Sequence, residues 1–137
     1  MWKYYAVLAA VFAALTAILA KIGVRNVDSN LATAIRTTVI LFITWGIAFA
    51  AGGAGKFRTV SGQALLFLVL SGISTGLSWL FYFKALQSGP ASKVAPIDKL
   101  SVVITIVLGI LILHERLDWQ VAAGGLLILA GSLVLLL

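Results

Sequence analysis

The sequence contains no cysteine, one histidine (His114) and two prolines. Without a thiol there is no disulfide framework and no thiolate metal site, and one imidazole cannot build a multi-histidine centre. Charge is scarce as well: 10% of the residues carry it, where a soluble globular domain has about 25%. Only four residues are acidic, and no acid–base or nucleophile constellation stands at helical spacing, so neither catalysis nor a cofactor is expected. Apolar residues are abundant, at 62% against the usual 45–50% or so. An aqueous fold of this composition would have too few polar side chains to cover its surface.

The charges that exist sit between long uncharged stretches, the pattern of a membrane protein. The net charge is +6, but the basic residues stand singly at the ends of apolar runs, as Lys3, Lys56, Arg58 and Lys93 do. Such residues meet lipid headgroups and bias orientation, so nucleic acid is not an expected partner.

Five apolar runs predict transmembrane helices over about 4–24, 31–51, 64–86, 91–113 and 119–137, a single transmembrane domain over 1–137. Each is near the ~20 residues that cross a hydrocarbon core, far longer than a barrel strand of about 9–11. The fold class is therefore all-α and membrane-spanning. The first run exceeds a signal-peptide core of roughly 7–15 residues and has no small-x-small cleavage site before Lys21, so a retained helix is expected. Asp28, Ser29 and Asn30 are capping types at the entry to the second run. Trp2, Tyr4, Tyr5 and Trp119 fall at expected interfaces. The longest segment outside the bilayer, residues 52–62, is too short for a soluble domain, and no internal repeat is present.

Small residues mark helix faces that can approach closely. The first helix has Ala6, Ala10, Ala13, Ala17 and Ala20 on one side, suited to packing within the chain. In the fifth, Gly124 and Gly131 stand seven apart, suited equally to packing and to a subunit contact. The third helix aligns Ser71, Thr75, Ser78 and Tyr82, with Trp79 alongside. The fourth aligns Asp98, Ser101, Thr105 and Gly109. Hydroxyls bonded back to their own helix explain such stripes, and so does a shared polar cavity.

Charges inside the runs are costlier, at roughly 2.5–3.5 kcal/mol for a mid-membrane group on insertion scales. Arg36 lies about two turns into the second helix, and Asp98 and Lys99 about two turns into the fourth, just after Pro96. Lys21 and Lys84 lie near helix ends, from which they can extend to the headgroups. With helices alternating in direction, all five gather in the membrane half opposite the N-terminus. Arg36 and Asp98 suit either a structural ion pair or direct contact with a substrate. Pro96 removes a backbone donor, so the start of the fourth helix is either a simple entry turn or a hinge beside a polar ligand.

Lys84-Ala85-Leu86, then Ala91-Ser92-Lys93-Val94-Ala95-Pro96, then Gly109 and Glu115-Arg116, taken with Arg36 and the Gly124…Gly131 spacing, resemble the EamA-type repeat of the drug/metabolite transporter superfamily. The resemblance covers essentially the whole chain. It implies one half of a ten-helix inverted-repeat transporter, working by alternating access, with the first four helices lining the path and the fifth peripheral. The first helix lacks the glutamate of the four-helix multidrug relatives, so their proton-coupling scheme does not carry over.

The expected function is secondary transport of a small polar, zwitterionic or anionic metabolite in a prokaryotic inner (plasma) membrane. Its expected substrate-binding residues are Arg36, Ser71, Thr75, Ser78, Trp79, Tyr82, Lys84, Asp98, Lys99 and Ser101, with Asp98 as the coupling candidate. Arg36, Lys84 and Lys99 against one acid leave the presumed cavity positive. The rival expectations are a non-transporting membrane subunit and a component of a lipid-linked sugar flippase. An odd number of helices puts the termini on opposite sides, so a second copy must insert inverted to complete a ten-helix pair; the expected assembly is an antiparallel homodimer, with Gly124 and Gly131 as contact candidates. Flanking basic residues count four (Lys3, Lys56, Arg58, Arg116) against three (Lys21, Arg25, Lys93), too even to fix one orientation. Counting Arg36, Lys84 and Lys99 makes it four against six, but residues committed to a cavity are poor topology signals.

Overall fold

The computed structural model describes residues 1–137, the side chain of Ala54 excepted. Six α-helices and a short 3₁₀ helix make up the chain: α1 (Trp2–Gly23), α2 (Ser29–Ala50), the 3₁₀ segment (Gly53–Thr59), α3 (Gly62–Ser88), α4 (Ala91–Asp98), α5 (Leu100–Leu113) and α6 (Trp119–Leu136). No strand occurs among the described residues. Counting α4 and α5 together, five segments are long and apolar enough to cross a membrane. Their outer surfaces are covered with exposed large apolar side chains, which only lipid or another apolar helix can satisfy. This is an integral membrane protein.

Local chemistry accounts for the element boundaries. The carboxylate of Asp28 accepts from the backbone N–H groups of Asn30 (3.0 Å) and Leu31 (3.1 Å), the N-cap its position predicted. At the far end of α2, Gly52 has φ of 72°, and a Cβ on Gly53 would stand 2.8 Å from the Ala48 carbonyl oxygen. The positive φ favours glycine at Gly52, and the close carbonyl leaves no room for a Cβ at Gly53. Ser61 caps α3 by accepting from the Ala64 N–H at 3.2 Å, so α3 begins at Gly62 rather than near residue 64 and runs on to Ser88. At the end of α5, His114 adopts a left-handed conformation (φ 54°) and the Glu115 N–H reaches back to the Gly109 carbonyl at 3.2 Å. The Glu115 carboxylate folds over Gly109, where a Cβ would meet it at 3.0 Å. The Gly109…Glu115 spacing is thus the signature of a helix stop.

The fourth span differs from a continuous helix over 91–113. It is two helices, broken at Lys99. Pro96 has no N–H to bond the turn before it, and the Lys99 N–H bonds to the Pro96 carbonyl at 3.0 Å, a tighter turn than the α-helix makes.

The chain divides into two compact units. One comprises Met1–Leu19 with Ser88–Leu137, the other Ala20–Gln87. In the first, α6 packs along both α4 and α5. The buried Ser132 hydroxyl donates to the Pro96 carbonyl at 3.1 Å, and Gly125 lies so close to Ile106 that a Cβ there would meet its Cδ1 at 3.0 Å. Helix α6 therefore braces the two pieces of the broken span at once. In the second unit the best-buried side chains are Leu86 (0% exposed), Val24 (1%) and Phe83 (3%), gathered where α1 ends and α3 ends.

Candidate functional site

In the Ala20–Gln87 unit, α2 carries Arg36 and α3 carries Trp79 four residues before Phe83, so both rings stand on one face of α3. The Arg36 guanidinium carbon lies 4.0 Å from the Trp79 ring centroid and 5.3 Å from that of Phe83. Cation–π contacts contribute about 0.5–2 kcal/mol each. Two of them offset most of the roughly 2.5–3.5 kcal/mol that a guanidinium costs deep in a bilayer. The rings thus support the charge from within the unit. They do not supply acceptors for its five N–H donors, which π faces leave largely unmet. Tyr82, half-buried, sets its ring against Phe83 at 6.4 Å.

Below this cluster α1 and α3 cap one another. Lys21 donates from Nζ to the Leu86 carbonyl at the end of α3. Gln87 donates from Nε2 to the carbonyls of Val24 (3.3 Å) and Val27 (3.0 Å), at the end of α1 and in the loop beyond it. Helix ends leave their last carbonyls without partners, and here each helix supplies the other's donor. Lys21, expected to reach the headgroups, instead turns inward. Neither this bond nor the role of Gln87 was anticipated; a lone amide in the last turn of an apolar helix was the available signal.

The remaining expected residues of α3 are more exposed. Thr75 bonds back to the Ser71 carbonyl at 2.9 Å, so its hydroxyl proton is engaged within the helix and its oxygen keeps acceptor capacity alone. Ser71 and Ser78 are exposed along the same stripe, and Lys84 is exposed in the last turns.

In the other unit, Asp98 and Lys99 face each other across 3.6 Å at the break between α4 and α5, both substantially accessible. Ser101 is exposed, and its carbonyl accepts from the Thr105 hydroxyl at 2.8 Å. Gly124 and Gly131 do not form the packing face of α6. That face is Gly125 and Ser132, also seven apart and one position further on. Above Gly124 and Gly131 there is open space, with no atom within 4 Å of a built Cβ.

Five lipid-exposed helices, one interrupted at a proline beside an ion pair and another carrying a ring-held guanidinium, define a polytopic membrane protein with polar chemistry inside its spans. The chain belongs to the EamA-like transporter family, whose description matches residues 1–137. It is also 48% identical over 134 residues to a protein of Sinorhizobium sp described as an uncharacterized transporter in the cobO 3' region; the match spans 98% of this chain and 95% of that one. No solved structure matches it. Family and relative together give a transporter role, small-molecule translocation across a lipid bilayer, and the bacterial relative fits a prokaryotic inner membrane.

Proposed function

We propose that this chain is a secondary transporter of a small polar, zwitterionic or anionic metabolite, alternating its access as an antiparallel homodimer. The observation that carries the reading is Arg36: a cation deep in α2, supported by rings and with donors to offer. Trp79 and Tyr82 supply apolar contact beside it, and Ser71, Thr75, Ser78 and Lys84 continue the path along α3; Asp98, Lys99 and Ser101, in the other unit, are separate candidates at the broken span. The five spans act as one transmembrane domain.

Coupling is assigned to Asp98, at the joint where α4 and α5 part. Asp98→Asn is expected to transport without responding to an imposed pH gradient, measured as solute uptake into proteoliposomes at fixed membrane potential. An unchanged pH response in that variant removes Asp98 from the coupling scheme.

The dimer reading rests on α6. Its Gly125–Ser132 face is filled from within the chain, while the neighbouring Gly124–Gly131 face is open to another helix. That open face also suits a different membrane partner, which is what the non-transporting-subunit reading requires. Gly55→Cys separates them: a Cβ at Gly55 meets nothing within 4 Å, and the chain has no native cysteine. Labelling of intact cells with an impermeant thiol reagent, and of inverted vesicles in parallel, is expected to modify the loop from both sides. Labelling from one side only, in a variant that still transports, means a parallel assembly or a separate partner.

A further inference from the structure

We propose that the group received by Arg36 is the carboxylate of a small monocarboxylic solute; this rests on the transporter reading and narrows it to one substrate class. Aromatic rings lie against the guanidinium at 4.0 and 5.3 Å, and π faces engage few of its five N–H donors. The ion pair found among the described residues is Lys99–Asp98, so no carboxylate is paired with Arg36. A planar fork of donors pairs with two coplanar oxygens, which a carboxylate presents and an alcohol, amine or amide does not.

Charge selects among oxyanions. Of the other cations on this side of the unit, Lys21 is committed to the Leu86 carbonyl, and Arg25 and Lys84 are exposed, the one just past α1 and the other in the last turns of α3. Arg36 therefore offers one positive charge. A monocarboxylate neutralises it, whereas a phosphate monoester brings about −1.5 to −2 and leaves unpaired charge in an apolar setting. Phe83 is buried, so the flank available to the solute's body is the half-buried Trp79 ring beside the guanidinium.

The test uses the full-length protein in detergent micelles, with thermal stability and tryptophan fluorescence as readouts. Acetate, lactate and benzoate are the probes, and lactamide and benzamide are their neutral isosteres. At least one carboxylate is expected to raise the melting temperature and perturb the fluorescence, with its amide inert. Arg36→Lys should weaken that binding at least tenfold, and Arg36→Gln should remove it. The inference is overturned if all three carboxylates are inert, if an amide matches its acid, or if Arg36→Lys binds like the parent. A response to inorganic phosphate or phosphatidylglycerol alone also overturns it, the first indicating a phosphorylated solute and the second a lipid headgroup. Flux in proteoliposomes separates this inference from the transporter reading. Carboxylate binding without flux upholds the site and sinks the transport function; flux of a neutral solute that persists in Arg36→Gln does the reverse.

Discussion

Arg36→Gln should lose transport by about 100-fold or more while remaining inserted and folded. Removing one partner of a desolvated, charge-assisted pair costs about 2–5 kcal/mol, and each 1.4 kcal/mol is roughly tenfold. Stability should move differently. The substitution gives up two ring contacts but also removes a cation that is expensive within the bilayer, and the two effects nearly cancel. A melting temperature within a few degrees of the parent, together with abolished uptake, is therefore the expected pair of results. Normal uptake would leave Arg36 a structural role only. A large loss of stability with proportionate loss of uptake would point the same way.

The second large effect is expected where α1 and α3 cap each other. Gln87→Leu removes two hydrogen bonds to the α1 end and its loop, and Lys21→Met removes a charged donor from the Leu86 carbonyl. Net values are about 0.5–1.5 kcal/mol for a neutral bond and 1.5–3 for a charged one, and the residues Val24 and Leu86 whose carbonyls are left behind are buried, while the Val27 bond is exposed. The double variant should be destabilised by about 3 kcal/mol, visible as a lower melting temperature and faster hydrogen exchange at residues 24–29. Unchanged exchange across that loop would show that the bonds do not hold it. Because Val24 and Leu86 are nearly inaccessible, repair by solvent is expected to be poor, and the single variants should already be measurable.

Composition and run length were enough to reveal the five spans, since covering 20 apolar residues with lipid admits little else. Asp28 as a cap was legible for a local reason: its role involves backbone only a few residues away. The break at Lys99 was half visible. Pro96 announced a missing donor, but whether a helix bends or parts there depends on what a neighbouring helix offers, and Ser132 lies 36 positions further on. The Gly124…Gly131 spacing misdirected attention on α6, because Gly125 and Ser132 have the same spacing and the sequence does not say which register meets a neighbour. Arg36 was flagged by its cost. Its support came from Trp79 and Phe83 on another helix, and the same rings in an apolar run look like ordinary lipid-facing aromatics.

The broken span has a mechanical consequence. Two short rods joined at Lys99 would ordinarily be free to fold independently about that joint. Here α6 is fastened to one rod through Ser132 and wedged against the other through Gly125, so the three helices make a triangulated truss. A truss does not flex at one corner while its members keep their lengths and attachments. If access alternates, α4, α5 and α6 must therefore travel as one piece, or the Ser132–Pro96 fastening must come undone in each cycle. In the second case that single hydroxyl sets a toll on turnover, and Ser132→Ala would speed the cycle even as it weakens the resting structure.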